Sequence, residues 1–207
     1  MILLILVNLA VNLTLEMIGI IITSLFTFMH CDRMKEQYGI LTREDIAVLL
    51  KSKHPLISDA IDLAEQLQPN GIDLTVRDIS IFETPGILTE TNEGRELSRT
   101  KLLVYDELGA VDLKAGAYLV TFNEIVHLPK NIMALARPRS SLNRCGVSIH
   151  SAVWDAGYTG RSQSMLVVYN MNGFKLYKNA RIMQLVFMFT SRGVEEGYDG
   201  MYQQENI

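Results

Sequence analysis

Cysteine is scarce in this chain: Cys31 and Cys145 are the only two among 207 residues. They form no CxxC pair and no spacing suited to zinc, and a disulfide framework would need more of them, so a stapled scaffold is excluded and a reducing, cytoplasmic compartment is expected. Positive charge is thin as well. Lys and Arg number 19 against 23 Asp and Glu, for a formal net charge of -4. The basic residues are scattered rather than clustered, which weighs against a nucleic-acid-binding surface. A small anionic ligand stays compatible, because a local pocket can be basic on an acidic protein. The chain also has no internal repeat and no low-complexity segment, which leaves one domain with a short appendage as the organisation its length favours.

The beginning of the chain lacks basic residues altogether. No Lys or Arg precedes Arg33, so the apolar start has no basic n-region of a secretory signal. Glu16 is the only charged side chain in residues 1–29, and together with Asn8, Asn12 and Thr14 it interrupts the run of about 20 apolar residues that a membrane span requires. Three readings are open: a start assigned too far upstream, with the working protein beginning at Met29 or Met34; a membrane-associated helix; or an added helix packed on the domain. The first is the expectation. Residues 1–33 are then an apolar extension, residues 34–207 are the domain, and membrane attachment is not expected.

What is present after Gly39 is mostly strand pattern. Thr42 precedes Arg43-Glu44-Asp45 with an acid three positions on, which predicts an N-cap and a short helix to about Lys51. Ile72-Asp73-Leu74-Thr75-Val76 alternates apolar and polar side chains, and 78–82 continues the alternation, as half-buried strands do. Residues 84–99, rich in Thr, Glu and Gly, predict a surface hairpin or loop. Further strands are predicted at 101–105, 117–122, 132–137, 146–150, 164–169, 174–176 and 182–190. Gly, Pro and Asn punctuate them at short intervals. The expected fold is therefore mainly β, a distorted β-barrel or double sheet with one short N-terminal helix.

The chemistry concentrates in two segments. Arg139-Ser140-Ser141-Leu142-Asn143-Arg144 carries two guanidinium groups and two hydroxyls that can neutralise and hydrogen-bond phosphate oxygens. A turn of this composition is also compatible with plain solvated surface. Trp154-Asp155-Ala156-Gly157-Tyr158-Thr159-Gly160 follows, and a carboxylate between a bulky Trp and a flexible Ala-Gly can be shielded and aimed to polarise a water. The competing reading makes Asp155 a turn residue that accepts backbone hydrogen bonds.

Four segments carry a family resemblance: Gln68-Pro69-Asn70-Gly71-Ile72-Asp73-Leu74, Arg139-Ser140-Ser141-Leu142, Asp155-Ala156-Gly157-Tyr158-Thr159-Gly160 and Arg181-Ile182-Met183-Gln184-Leu185-Val186. In order and approximate spacing they resemble the superfamily of dUTPases and dCTP deaminases, from about Gly39 to the C-terminus. The domain start, the 198–203 tail and the Trp-Asp-Ala-Gly-Tyr form are most similar to the deaminase-related dUTPases of archaea, and that resemblance implies a dUTPase-like β-clip fold.

The two activities of the superfamily need different residues. Deamination requires a proton-shuttling Glu, which in the deaminases falls ten residues after the motif Asp. Here that residue is Met165, or Val167 if two residues before Asn170 are an insertion, and no Asp or Glu lies between Asp155 and Glu195. The resemblance therefore implies hydrolysis of dUTP to dUMP and pyrophosphate, by water attack on the α-phosphorus. The alternatives are a dCTP deaminase, an enzyme of both activities, or a nucleotide-binding protein without turnover. By the same resemblance Asp155 is the base, and Arg139, Ser140, Ser141 and Arg144 hold the phosphates with Gln184 alongside. Tyr158 packs on the deoxyribose and rejects a 2′-hydroxyl, and 150–158 forms a hairpin whose backbone reads the uracil edge. Mg²⁺ is held through substrate phosphates rather than by direct protein ligands. Tyr198, Tyr202 and Gln203 resemble the arm that closes over the triphosphate, although Met201 stands where many deaminases have Lys. Sites are shared between subunits of a homotrimer. Two assignments stay open: Asp73 either supports the sugar or caps a strand end, and Gln184 either reaches substrate or satisfies backbone groups. His150 is expected to be structural.

Overall fold

A computed structural model describes residues 38–207, so the apolar extension lies outside the described residues. Gly39–Ile207 is a compact unit of mainly β structure. The first elements are a two-residue strand β1 (Gly39–Ile40) and helix α1 (Arg43–Leu50). Thr42 and Asp45 close a reciprocal capping box: the Asp45 N–H donates to the Thr42 hydroxyl oxygen, and Asp45 Oδ2 accepts from the Thr42 N–H at 3.0 Å. Two donors at the helix start that would otherwise lack partners are thereby satisfied. Ile46 is fully buried and anchors the helix to the core. Strand β2 (Ile57–Ser58), helix α2 (Leu63–Gln66) and strand β3 (Leu67–Gln68) follow, none of which the sequence pattern marks.

The two predicted strands at 72–76 and 78–82 are one strand, β4 (Gly71–Phe82), whose register shifts between Val76 and Asp78. Strands β5 (Thr100–Leu102), β6 (Ala110–Leu113), β7 (Gly116–Phe122), β8 (Ile125–His127) and β9 (Ile132–Pro138) come next. After them lie helix α3 (Ser140–Arg144) and strands β10 (Val147–His150), β11 (Thr159–Gly160), β12 (Gln163–Val168), β13 (Phe174–Tyr177) and β14 (Arg181–Phe189). Nine strands share one curled sheet, whose main path runs β1-β14-β4-β7-β12-β10, with β9 on β14. Strands β11-β8-β2 and β13-β6 form smaller sheets. The apolar sides of these strands, with Phe122, Phe187, Ile72, Leu74 and Leu166, make the core.

The alternation at 72–76 suggests a half-buried strand, yet Asp73 and Thr75 are buried too. A polar network covers the second face. Glu124, fully buried, accepts from Gln66 Nε2 (2.7 Å), Thr75 Oγ1 (2.5 Å) and the Thr75 N–H (2.9 Å). Gln66 Nε2 also donates to the Asp73 carbonyl at 2.8 Å, and Asn123 Nδ2 donates to Thr75 Oγ1 and to the Val76 carbonyl. With Glu124, Gln66, Thr75 and Asn123 partnered by one another and by backbone, these polar residues stay inside at little cost. No helix among the described residues is long and apolar enough to cross a membrane.

Candidate functional site

The segment Arg139–Arg144 forms a helical turn rather than an open one, with Arg139 at the cap of α3 and Ser140, Ser141 and Arg144 exposed on it. Leu142 is buried and fixes the turn to the body. Arg139 faces inward: its Nε lies 3.0 Å from Oδ2 of Asp73, which is only 1% exposed, and its Nη1 donates to the Arg181 carbonyl at 3.2 Å. Arg181 Nη1 stands 3.7 Å from the same Asp73 oxygen. Asp73 Oδ2 makes charge contacts without an aligned hydrogen bond. Burial pushes the Asp73 carboxyl up from its ordinary value, against the downward pull of Arg139 and Arg181. Gln184 pairs in register with Asp73 across β14 and β4, and its Nε2 donates to the Asn70 carbonyl at 3.2 Å, so here it satisfies a backbone group.

Asp155 lies elsewhere. Trp154 is buried and exchanges two backbone hydrogen bonds with Ala134, at 2.9 and 3.0 Å, which pins the chain just before Asp155. The Tyr158 N–H donates to the Asp155 carbonyl at 3.1 Å and closes a turn, while the Asp155 side chain is exposed. Residues 150–158 lie in a wide hairpin: they run from the end of β10 into the connection to its antiparallel neighbour β12, and within that connection Trp154 bridges to β9. Asp155 lines a cavity of about 920 Å³. One wall comes from Phe82, Ile87, Leu88 and Leu97 around the 84–99 connection, and another from Ala152, Val153, Trp154 and Tyr158. The tail supplies Tyr198, Tyr202 and Glu205.

Tyr158 is buried, its ring 5.7 Å from that of Tyr198 in an edge arrangement, and its hydroxyl donates to Glu205 Oε1 at 2.8 Å. Burial, and then the Glu205 charge, push the phenol pKa up, and burial also pushes the Glu205 carboxyl up. Gln203, expected at the triphosphate, bonds to the backbone of Gly157, Thr159 and Tyr198. His150 is exposed, 3.2 Å from the Tyr169 hydroxyl. The structure therefore brings Asp155, Tyr158 and Tyr202 to one cavity, and Asp73, Arg139 and Gln184 to another place beside α3. No hydrogen bond joins the two groups among the described residues, and the lining of the 920 Å³ cavity does not include Asp73, Arg139 or Gln184.

Several residues went unread in the sequence. Glu205 and Glu96 bring two more carboxylates to the cavity. Arg161 ties three segments together, with Nη2 on Asp59 at 2.7 Å, Nη1 on the Asn123 carbonyl and Nε on the Asn206 carbonyl. These contacts span 38 to 102 residues of sequence and leave no local pattern. Among the described residues, no three His, Cys, Asp or Glu side chains are gathered as a metal cage.

A family profile described as dCTP deaminase-like matches residues 40–190. The chain belongs to this family. A probable deoxyuridine 5′-triphosphate nucleotidohydrolase of Methanosarcina mazei is 50% identical over 168 residues, covering 81% of this chain and 98% of the relative. One of Archaeoglobus fulgidus is 44% identical over 169 residues, with 82% and 98% covered. The deoxyuridine 5′-triphosphate nucleotidohydrolase of Methanocaldococcus jannaschii is 38% identical over 140 residues, with 67% and 88% covered. Among solved structures, the 2′-deoxycytidine 5′-triphosphate deaminase of Agrobacterium tumefaciens superposes with a TM-score of 0.58 at 21% identity, over 74% of this chain and 48% of that one. That likeness speaks for the fold.

Proposed function

We propose that the protein is a dUTP diphosphatase, a hydrolase of nucleotide metabolism that converts dUTP to dUMP and pyrophosphate. The observation that carries this reading is the exposed Asp155 carboxylate on the wall of the 920 Å³ cavity, with no acid on the neighbouring strand where deamination would need one. The cavity falls within the roughly 300–1,000 Å³ usual for small-molecule sites. Met165 sits on β12 opposite Leu119 of β7, and Leu119 lines the cavity. A thioether there carries no proton. Glu96 and Glu205 reach the cavity from the 84–99 connection and the tail, and the Tyr158 hydroxyl already occupies Glu205. The names borne by the archaeal relatives agree with hydrolysis.

In the reaction, Asp155 accepts a proton from a water as its oxygen bonds to the α-phosphorus. The bond from that phosphorus to the bridging oxygen breaks in line, and pyrophosphate leaves. The exposed hydroxyls of Ser140 and Ser141 and the guanidinium of Arg144 take phosphate oxygens, and Arg139 contributes from its half-exposed side. Trp154 and Tyr158 wall the base and sugar, and the backbone left without partners among the described residues, 151–153, reads the uracil edge. Bound Mg²⁺ would screen the phosphate charge. The ion would be carried on the substrate phosphates, where it would offset the charge of the leaving pyrophosphate. The separation of Asp155 from α3 supports a shared site, in which α3 of one copy meets the cavity of another in a cytoplasmic homotrimer. Leu102, Ser80, Leu119 and Met165 form one cross-strand row over β5, β4, β7 and β12 beside that cavity, apolar except at Ser80, and offer a face for such contact.

Incubation with Mg²⁺ and each of dUTP, dCTP, dTTP and UTP, followed by product separation, tests the reading. Formation of dUMP and pyrophosphate from dUTP alone is expected. Ammonia release from dCTP would overturn it in favour of a deaminase, and tight binding without turnover would leave a nucleotide-binding protein.

A further inference from the structure

Every main-chain carbonyl from Asp155 to Thr159 accepts a hydrogen bond. The donors are Tyr158 N (3.1 Å), Tyr198 N (2.9 Å), Gln203 Nε2 (3.0 Å), Leu128 N (2.8 Å) and Gln204 N (2.7 Å), in chain order of the acceptors. Three of these donors belong to the tail, residues 198–204. Gln203 contributes further, because its Oε1 accepts the Thr159 N–H at 2.8 Å and its Nε2 also donates to the Tyr198 carbonyl at 3.0 Å. A side-chain amide has two N–H donors, and both are used here on backbone. None remains for a phosphate oxygen. The two segments also touch directly: Gly157, at φ +90°, has no room for a Cβ, which would lie 2.7 Å from Gly197 Cα.

We infer that Gln203 is a positioning residue that fixes the 155–159 turn, and through it the Asp155 carboxylate, without contacting the substrate's phosphates. The inference rests on Asp155 being the base of the hydrolysis proposed above. It gives Gln203 a job apart from the tail residues Tyr198, Tyr202 and Glu205 that line the cavity. The tail is a strap bound to its own chain, and its amide holds the turn from both sides. Precise placement matters because a misplacement of about 1 Å at a reacting group can cost about a hundredfold in rate.

The test compares the full-length protein with Gln203→Ala and Gln203→Glu; the Glu variant keeps the acceptor for Thr159 N–H and loses both donors. Three quantities are read: kcat and KM for dUTP, the calorimetric Kd for dUMP, and the emission of Trp154, the only tryptophan and the neighbour of Asp155. For Gln203→Ala the expected result is a kcat lower by about a hundredfold, as misplacement of the base requires. The KM for dUTP and the Kd for dUMP should rise by a common factor, and Trp154 emission should shift to longer wavelength before any ligand is added. The Glu variant should fall between Ala and wild type, and it carries the same comparison if the Ala variant does not fold. A raised KM for dUTP with unchanged dUMP affinity and unchanged emission would show that the amide holds the β- and γ-phosphates, and would overturn the inference. Variants indistinguishable from wild type would overturn it too. A wild-type protein that binds dUMP without hydrolysing dUTP would strike the hydrolase reading instead, and the dUMP and emission measurements would still decide the role of Gln203.

Discussion

At the scale of single residues, the carboxylate proposed as the base and a structural carboxylate stand in opposite surroundings. Asp155 stands in solvent on a cavity wall, whereas Glu124 is buried with three donors on its two oxygens. Asp155→Asn keeps the shape and removes the proton acceptor, so turnover of dUTP should fall by about 10²–10⁴, the range general-base catalysis supplies, with the urea midpoint unchanged. Retention of full turnover would dismiss Asp155 as the base. Glu124 makes a different prediction. Burial raises its pKa above the 4.5 of a free glutamate, outweighing the hydrogen bonds from Thr75 and Gln66 that lower it. The unfolded chain then gives up this proton first as pH rises, so the contribution of Glu124 is complete below pH 4.5 and is lost as pH climbs through the raised value. Urea unfolding across that window should show stability falling more steeply with pH in the wild type than in Glu124→Gln, which has no proton to lose.

At the scale of elements, the contact between the turn after Asp155 and the tail can be separated from ordinary glycine strain. Gly157 and Gly109 both have positive φ, at +90° and +74°, but a Cβ at Gly109 meets nothing within 4 Å. Gly109→Ala should therefore cost only the backbone penalty of about 1 kcal/mol. Gly157→Ala should cost more, lower dUTP turnover and free the tail to proteolysis, a difference that denaturation and limited digestion would measure. Equal effects of the two substitutions would mean that the tail does not lean on the turn. The same comparison explains what the sequence could disclose. Helix α1 was legible because its signal, the Thr42–Asp45 box, is complete within four residues, and β7, β9, β12 and β14 were legible from apolar periodicity. Helix α3 was hidden because Arg and Ser at 139–144 signal polarity rather than period, and the turn is held by the single buried Leu142. The burial of Asp73 was hidden because the guanidinium groups that meet its carboxylate, those of Arg139 and Arg181, come from distant segments. Asp155 and Tyr158 could be named from their motif, but the commitment of Gln203 to the Gly157 and Thr159 backbone, 46 and 44 residues away, has no local trace.

At the scale of the whole molecule, the proposed site has two halves, and the proposed trimer is what would join them. Asp155 and Tyr158 line the cavity, while Ser140, Ser141 and Arg144 project from α3 outside it. If α3 of a neighbouring copy completes each site in a cyclic trimer, two variants that are inactive alone must rescue one another. Asp155→Asn spoils the cavity half, and Arg144→Ala with Ser140→Ala spoils the phosphate half. Co-expressed in equal amounts, they form trimers in which about a quarter of the sites pair an intact cavity with an intact α3, because each site draws its halves independently from two copies. Turnover per site should return to about a quarter of the wild-type value in the mixture, while each parent stays inactive. A site built within one chain gives no such recovery, since every chain in the mixture carries one lesion. If the cross-strand row through Leu119 and Met165 is the contact, Met165→Glu, which places charge beside Leu119, should shift the sedimenting mass from the proposed trimer to monomer and abolish turnover together. An active monomer would place both halves of the site in one chain and remove the need for a neighbour.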